Sequence, residues 1–243
     1  VRFSRYKDVE GKWTIGTEVG FPERIWRALD EIDVAGIAHV TKNFEVRGEM
    51  AKLKFGGAYT YKNRNYEILS YALNIRDIPL TGDPDELFWE ENLWPYQGDI
   101  DRGTTYEARF VPKNPNEYNS YTDNIAGYAS IELSIFNRMR TILGLRVEQF
   151  TQHYTGENQQ GKISLNDAEV LNDLEFFPSI NFIYALRENQ NLRLSYSKTI
   201  ARPSFKELSF SEIYDPITGR TFVGGLFEDA DYNEGIVYWD GNL

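Results

Sequence analysis

Residues 124–148 read NIAGYASIELSIFNRMRTILGLRVE, with apolar side chains at alternate positions on both sides of Asn137-Arg138. The alternating apolar residues are Ile125, Ala129, Ile131, Leu133, Ile135, Met139, Leu143, Leu145 and Val147. Because successive side chains of a β-strand point to opposite faces, this period of two predicts two strands joined by a tight turn. One face is apolar, and the other carries Glu132, Arg140 and Arg146.

The same period recurs through most of the chain and predicts about eight strands. The segments are 1–6, 12–19, 32–44, 51–76, 118–136, 139–153, 174–187 and 191–204. Short and long connections alternate along the chain. The tight turns lie at 7–12, 45–50, 137–138 and 187–191, and the long connections at 20–31, 77–118, 153–173 and from 205 onward. This layout predicts an all-β fold, part of an antiparallel transmembrane β-barrel with long extracellular loops. We expect 51–76 and 118–136 to be long antiparallel strands joined by the 77–118 loop.

One segment departs from the period of two. Ile25, Trp26, Leu29 and Ile32 lie at helical spacing, just after Pro22, which suits a first helical turn. We predict a short helical piece within an outer loop. The alternative is a loop whose apolar residues pack over the barrel rim.

Composition excludes several functions. The 243 residues include 26 Lys and Arg against 37 Asp and Glu, a net charge of −11, which argues against nucleic-acid binding. There is no Cys and there are two His, so thiolate zinc sites and cysteine nucleophiles are excluded. No signal peptide is visible after Val1, and we expect the chain to be a mature or internal fragment.

Four motifs carry a family resemblance. They are NIAGYASIEL at 124–133, ILGLRVE at 142–148, FPSINFIY at 177–184 and NLRLSYSKTIARPSF at 191–205. Their order and spacing resemble the paired barrel strands of Bacteroidetes-type TonB-dependent outer-membrane receptors, with their "AGY", "GxRxE" and "LRxSYSxTxxRPxF" words. Segments 23–31 and 52–62 look like further barrel strands of that family, so the resemblance covers about residues 20–208.

The resemblance implies that residues 1–243 are part of one barrel domain of about 22 strands, with the plug domain and the C-terminal strands not in this chain. It implies a receptor and transporter in the bacterial outer membrane, not an enzyme, that takes up a scarce ligand. The implied partners are outer-membrane lipid, TonB through the absent plug, and a small-molecule, glycan or peptide ligand. A surface lipoprotein is a further candidate partner. Siderophore, cobalamin, glycan and peptide all stay open as ligands.

The longest loop holds the candidate ligand-binding residues Phe88, Trp89, Trp94 and Tyr96. Their rigid rings could stack on a sugar or on a flat apolar ligand. The alternative is a loop that folds over its own aromatic residues. The same loop carries the acidic residues Asp83, Asp85, Glu86, Glu90, Glu91, Asp99 and Asp101. A glycosidase uses paired carboxylates, but seven acids in one loop need not form such a pair.

Two motifs come close to known ion or phosphate sites. Asp229, Asp231, Asn233 and Asp240 occupy positions 1, 3, 5 and 12 of a calcium loop, although the glycine lies one place late. We expect no cofactor, with calcium here as a candidate and an acidic solvated loop as the alternative. Residues 156–164 approach a phosphate-binding loop, but Ile163 stands where Ser or Thr is required. We therefore predict a solvated loop tip there.

A second functional hypothesis is a secreted β-sandwich module that binds carbohydrate through its loop aromatics. A sandwich would bury the apolar face and stay in solution, whereas a barrel fragment would need detergent. An enzyme is disfavoured because the chain has neither a Gly-x-Ser-x-Gly nor a His-Glu-x-x-His motif.

Overall fold

The computed structural model describes residues 4–11, 13–16, 23–108, 114–135, 138–215 and 220–225. Its strands are β1 (Ser4–Lys7), β2 (Trp13–Gly16), β3 (Glu23–Val46), β4 (Glu49–Arg76), β5 (Gly103–Ala108), β6 (Glu117–Ile135), β7 (Met139–Glu157), β8 (Ser164–Arg187), β9 (Gln190–Ser197), β10 (Glu212–Asp215) and β11 (Arg220–Val223). Two 3₁₀ helices, Pro84–Phe88 and Glu90–Asn92, are the only helices in these described ranges. Neither is long and apolar enough to cross a membrane. The predicted all-β fold is confirmed.

The chain divides into two compact units. One comprises Val1–Ala28 with Glu67–Asn116, and the other Leu29–Tyr66 with Glu117–Leu243. The division cuts β3 and β4, so each of these strands contributes to both units. The main sheet has the order β3-β4-β6-β7-β8-β9, with β5 paired to β4, while β1-β2 and β10-β11 form separate two-stranded sheets.

Strands β4 and β6 are antiparallel neighbours. The Tyr66 ring lies 5.2 Å from that of Tyr118, and the Tyr61 ring lies 6.1 Å from that of Tyr121. Residue numbers therefore fall along β4 as they rise along β6. The prediction of long antiparallel strands at 51–76 and 118–136 is confirmed, whereas the connection predicted at 77–118 contains strand β5.

The register of β6 to β9 separates apolar from polar side chains. Ile131 pairs with Leu143, Leu143 with Ile180, and Ile180 with Tyr196, so these residues share one face, here called the apolar face. The opposite face, here called the polar face, carries Glu132, Arg140, Arg146 and Glu148. The segregation predicted from the alternating sequence is confirmed.

Burial on the two faces is the reverse of that in a water-soluble sheet. On the apolar face Ile125 is 60% exposed and Leu194 is 67% exposed, whereas on the polar face Gln152 and Ser120 are fully buried. Monomeric soluble proteins rarely expose a contiguous apolar surface of this kind. The apolar face is therefore built for an apolar surrounding.

Residues 198–211, here called the covering segment, account for the burial of the polar face. Its residues Phe205, Leu208 and Phe210 form one buried cluster with Tyr118, Tyr154 and Val170 of the strands. The Phe210 ring meets the Tyr154 ring edge-on at 5.7 Å, and the Phe210 amide donates to the Tyr154 hydroxyl at 3.2 Å. The core of this unit thus lies between the polar face and the chain's own return segment.

Six ion pairs connect charged side chains on the polar face. The pairs are Lys62–Asp33 at 3.1 Å, Arg64–Glu31 at 2.6 Å, Arg140–Glu132 at 2.6 Å, Arg146–Glu148 at 2.5 Å, Lys198–Glu175 at 2.6 Å and Arg202–Glu148 at 2.9 Å. Pairing offsets the cost of removing these charges from water.

Beyond Gln149 the apolar face itself becomes polar. His153 stacks on Tyr121, with ring centroids 4.7 Å apart, and its Nδ1 lies 3.2 Å from the Asp167 carboxylate. The Tyr121 hydroxyl donates to the same carboxylate at 2.9 Å. The face that is apolar elsewhere therefore carries polar side chains near the connection of β7 and β8, which marks the end of the apolar band.

The prediction of a helical piece within 20–31 is wrong. Ile25, Trp26, Leu29 and Ile32 all lie in β3, which begins at Glu23. Helical spacing arose there because apolar residues occur on both faces of this strand, so the period of two is masked.

The prediction of a long connection at 153–173 is also wrong. Strand β7 continues to Glu157 and β8 begins at Ser164. The six residues between them close on Asn158, whose amide donates to the Ile163 carbonyl at 2.9 Å and whose Oδ1 accepts from the Lys162 amide at 2.9 Å. Because a strand follows the loop, it also lacks the helix that a phosphate-binding loop requires.

Candidate functional site

The loop between β4 and β5, residues 77–102 and here called the aromatic loop, is fixed at both ends. Arg76 pairs with Gly103 and Tyr71 pairs with Ala108 across the two strands. The sequence did not predict β5, which shortens the expected loop. Because β5 pairs with β4, the two ends of the loop are held together by a ladder of backbone hydrogen bonds.

Glu86 organises the interior of the aromatic loop. Its side chain is 3% exposed, and it accepts hydrogen bonds from the amide of Thr81 at 2.5 Å, from the Thr81 hydroxyl at 2.9 Å and from the Gly82 amide at 2.9 Å. A buried carboxylate is costly unless it is well hydrogen-bonded, and here three donors meet it. The next residue, Leu87, is also buried and is 2% exposed.

A second set of hydrogen bonds ties the loop to β5. The Asn92 side-chain amide donates to the Glu86 carbonyl at 2.6 Å, and the Thr104 hydroxyl donates to the Asn92 carbonyl at 2.9 Å. The Trp94 amide donates to the Thr104 carbonyl at 3.0 Å. Asn92 and Thr104 are both buried, so these contacts hold the backbone from which the aromatic side chains project.

Three of the four predicted ligand-binding side chains are exposed. Phe88 and Trp89 are each 41% exposed and Trp94 is 49% exposed, although the Trp94 Nε1 donates to the Ile100 carbonyl at 2.9 Å. Tyr96 is only half-buried, and the Arg102 guanidinium stacks 4.9 Å from its ring centroid. The aromatic loop therefore buries Leu87 and Glu86 and leaves its larger rings at the surface. Ligand contact by these rings stays a prediction.

Several acidic residues of the loop serve its local structure. Asp83 accepts from the Asp85 amide at 2.9 Å, and Asp99 accepts from the Asp101 amide at 2.9 Å. Glu86 is used by the interior contacts above. Local contacts within the loop thus explain three of the seven acids.

The predicted calcium residues Asp229, Asp231, Asn233 and Asp240 lie outside the described residues, so that site stays a prediction. Within the described ranges, no group of three or more His, Asp or Glu side chains could hold a metal ion.

Sequence reasoning missed the cluster on the polar face. Glu148 comes from the GLRVE motif and Arg202 from the ARPSF motif, and the Arg202 Nη1 donates to the Glu148 carboxylate at 2.9 Å. The Arg202 guanidinium also lies 4.5 Å from the Phe150 ring centroid. The two motifs were visible in the sequence, but only the fold shows that they meet.

Lys206 of the covering segment is a second group that the sequence did not indicate. Its Nζ donates to the Ser211 hydroxyl at 2.7 Å and to the Ser211 carbonyl. Burial lowers the pKa of Lys206 to about 8. The segment thus holds a lysine whose charge is costly at neutral pH.

Comparison with protein families gives a match to a receptor barrel. The family model described as "TonB dependent receptor-like, beta-barrel" matches residues 10–242. No curated protein matches the chain. The family match extends over almost all of the sequence, including the aromatic loop and the covering segment.

Proposed function

The chain belongs to the TonB-dependent receptor-like β-barrel family, and from that premise we propose that it is a barrel segment for TonB-dependent uptake of a scarce ligand. Members of this family are outer-membrane receptors and transporters rather than enzymes. The match over residues 10–242 is the observation that carries the proposal.

The two faces of the sheet support a membrane location. The apolar face is exposed and suits lipid, whereas the polar face carries ion pairs and suits the interior of a wide barrel. The β-sandwich alternative receives no support, because a sandwich buries its apolar faces between two sheets and these side chains are exposed in the described residues. We propose that residues 1–243 are one part of a single barrel domain, completed by a plug and further strands.

We further propose that Phe88, Trp89 and Trp94 contact the ligand. The aromatic loop follows the end of β4, a strand of 28 residues that starts after the tight turn at Arg47-Gly48. In an outer-membrane barrel short turns lie on the periplasmic side and long loops outside, so the loop would meet an arriving ligand. Tyr96 belongs to the proposed site as well, with Arg102 covering one face of its ring.

The uptake proposal is tested in cells that carry the full-length receptor. Strains lacking the receptor or TonB are supplied separately with ferric chelates, cobalamin, oligosaccharides and peptides, and accumulation of each is measured. We expect one class to require both proteins. If every class accumulates equally in all strains, the chain is not part of an uptake receptor.

The site proposal is tested by Trp89→Ala and Trp94→Ala in the same receptor. Losing a stacking ring should weaken binding of the accumulated ligand by about 1–3 kcal/mol. Trp26→Ala is the matched control, because Trp26 is 44% exposed but lies in β3. Equal affinity in all three variants would show that the aromatic loop does not contact the ligand.

A further inference from the structure

The aromatic loop presents apolar rings on a backbone that its own contacts hold in place. Leu93 and Ile100 are 38% and 68% exposed, and they extend the apolar surface of Phe88, Trp89 and Trp94. Because Glu86, Asn92 and Thr104 are buried and hydrogen-bonded, a ligand would not have to order the loop when it binds. Such a surface suits a partner with apolar groups.

The charge of the same loop restricts what that partner can be. Its acidic residues are Asp77, Asp83, Asp85, Glu86, Glu90, Glu91, Asp99 and Asp101, and its single basic residue is Arg102. An anionic ligand approaching such a surface is repelled, and a cationic one is attracted.

The one basic residue does not neutralise the exposed acids. The Arg102 Nε donates to the Asp77 carbonyl at 2.8 Å and lies 3.6 Å from the Asp77 carboxylate. Its guanidinium also covers Tyr96. Four exposed carboxylates next to the rings have no cationic partner among the described residues; they are Asp85, Glu90, Glu91 and Asp101.

The contact between Arg102 and Tyr96 shows which chemistry this surface accepts. A guanidinium or ammonium over an aromatic face is stabilised by the ring quadrupole, and Trp is the best of the aromatic residues for this contact. A neutral sugar can stack on the rings but gains nothing from the unpaired carboxylates. A peptide that alternates basic and apolar side chains could contact both the aromatic rings and the carboxylates.

We propose that the aromatic loop recognises a basic peptide. The proposal rests on the uptake function above and names the ligand class for that site. Lys or Arg side chains would lie over Trp89 and Trp94 and pair with Glu90 and Glu91, while apolar side chains cover Leu93 and Ile100.

The test uses the full-length receptor in a neutral detergent and three probes: a decapeptide of alternating Lys and Leu, its counterpart with Glu for Lys, and maltohexaose. Binding is measured by calorimetry at low and high salt. The Lys peptide should bind at least about tenfold more tightly than either other probe, and salt should weaken it. Glu90→Gln with Glu91→Gln should weaken it about fivefold to tenfold.

The control is the pair Glu45→Gln with Glu188→Gln, which removes the same charge at two exposed positions by the tight turns. If this pair weakens the Lys peptide as much as the loop pair, attraction is to the whole acidic protein and the proposal is wrong. If maltohexaose or the Glu peptide binds more tightly than the Lys peptide, and this binding is lost in Trp89→Ala, the loop does not recognise a basic peptide. The uptake function would be unaffected by that result. Whether the receptor takes up any ligand is tested separately by the accumulation assay.

Discussion

The two faces of strands β6 to β9 differ in polarity and in burial: the apolar face is the more exposed one, and the polar face is the more buried one. Leu174 on the apolar face is 57% exposed, whereas Tyr154 on the polar face is 1% exposed beside the fully buried Gln152. Polarity alone therefore does not decide which side chains this sheet buries. Burial depends on what contacts each face. We assign the apolar face to lipid, and the covering segment contacts the polar face.

Some buried groups of the polar face are hydrogen-bonded, whereas the Gln152 Oε1 and the Arg202 Nε and Nη2 have no hydrogen-bond partner among the described residues. The Ser120 hydroxyl donates to the His153 carbonyl at 2.6 Å, and the Gln152 amide donates to the Ser120 hydroxyl at 3.4 Å. The apolar face needs no such contacts, because hydrocarbon is its expected surrounding. Substitutions on the two faces should therefore fail for different reasons.

The largest effect is expected for Phe210→Ala. It removes a buried ring of the covering segment and should lower the free energy of unfolding by about 3–5 kcal/mol. Ile125→Ala on the exposed apolar face should cost less than about 1 kcal/mol in detergent, since no protein cavity forms. Urea unfolding of the full-length receptor measures both. Similar losses would mean that the covering segment does not stabilise the polar face.

The next effect is expected for a charge on the apolar face. Leu145→Lys should cost about 2–4 kcal/mol on folding into lipid vesicles, as a lipid-facing charge near the midplane does. Ile142→Lys is the matched control, because Ile142 pairs with Glu132 on the polar face.

Ile142 is a better control than the neighbouring Gly144. A Cβ at Gly144 would lie 2.6 Å from the Ser179 Oγ, so Lys there would add a packing cost of its own. Equal destabilisation by Leu145→Lys and Ile142→Lys would contradict the assignment of the faces.

A smaller effect is expected for Glu148→Gln. Glu148 is 8% exposed and accepts from both Arg146 and Arg202, and Gln can accept on one oxygen only. The loss should be about 1–3 kcal/mol in the free energy of unfolding. Glu175→Gln breaks the more exposed pair with Lys198 and should cost less than Glu148→Gln. The reverse ranking would show that burial does not set the value of these pairs.

A pH dependence of stability is expected at Lys206. Its pKa is lowered to about 8 in the folded protein from 10.5, so the folded state binds this proton less tightly than the unfolded chain. Stability should therefore rise as pH increases from about 8 towards about 10, and Lys206→Met should lack this rise. Thermal midpoints of the two proteins at pH 7 and pH 10 measure the difference. If the thermal midpoint rises equally in the parent and in Lys206→Met, the pH dependence comes from other groups.

The sequence predicted the fold wherever one face was apolar and the other polar. Ile131 and Leu145 against Glu132 and Arg146 gave the hairpin and its faces directly. Strand β3 was missed in part because it carries apolar residues on both faces. The ends of β7 and β8 were interpreted as a loop because polar residues such as His153 and Glu169 stand on the face that is apolar elsewhere, which interrupts the hydrophobic period.

The candidate site was predictable in position but not in structure. A loop rich in Trp and acidic residues was visible between two long strands. An acidic residue normally indicates a solvated surface, so nothing in the sequence predicted that Glu86 would be buried and bound by Thr81 and Gly82. Likewise, the contact of Glu148 with Arg202 joins residues 54 positions apart and depends on the return of the chain across the sheet.

Strands β7 and β8 continue beyond the apolar band, and in the proposed outer-membrane location their connection would be a site for surface display. From Gln149 to Glu157 the paired strands rise by about 26 Å, at roughly 3.3 Å per residue. Their connection is short and closed on Asn158, with Gly161 in a conformation that favours glycine, φ +66°. Under the proposed outer-membrane location, we expect an epitope inserted between Gln159 and Gln160 to be reached by an antibody added to intact cells.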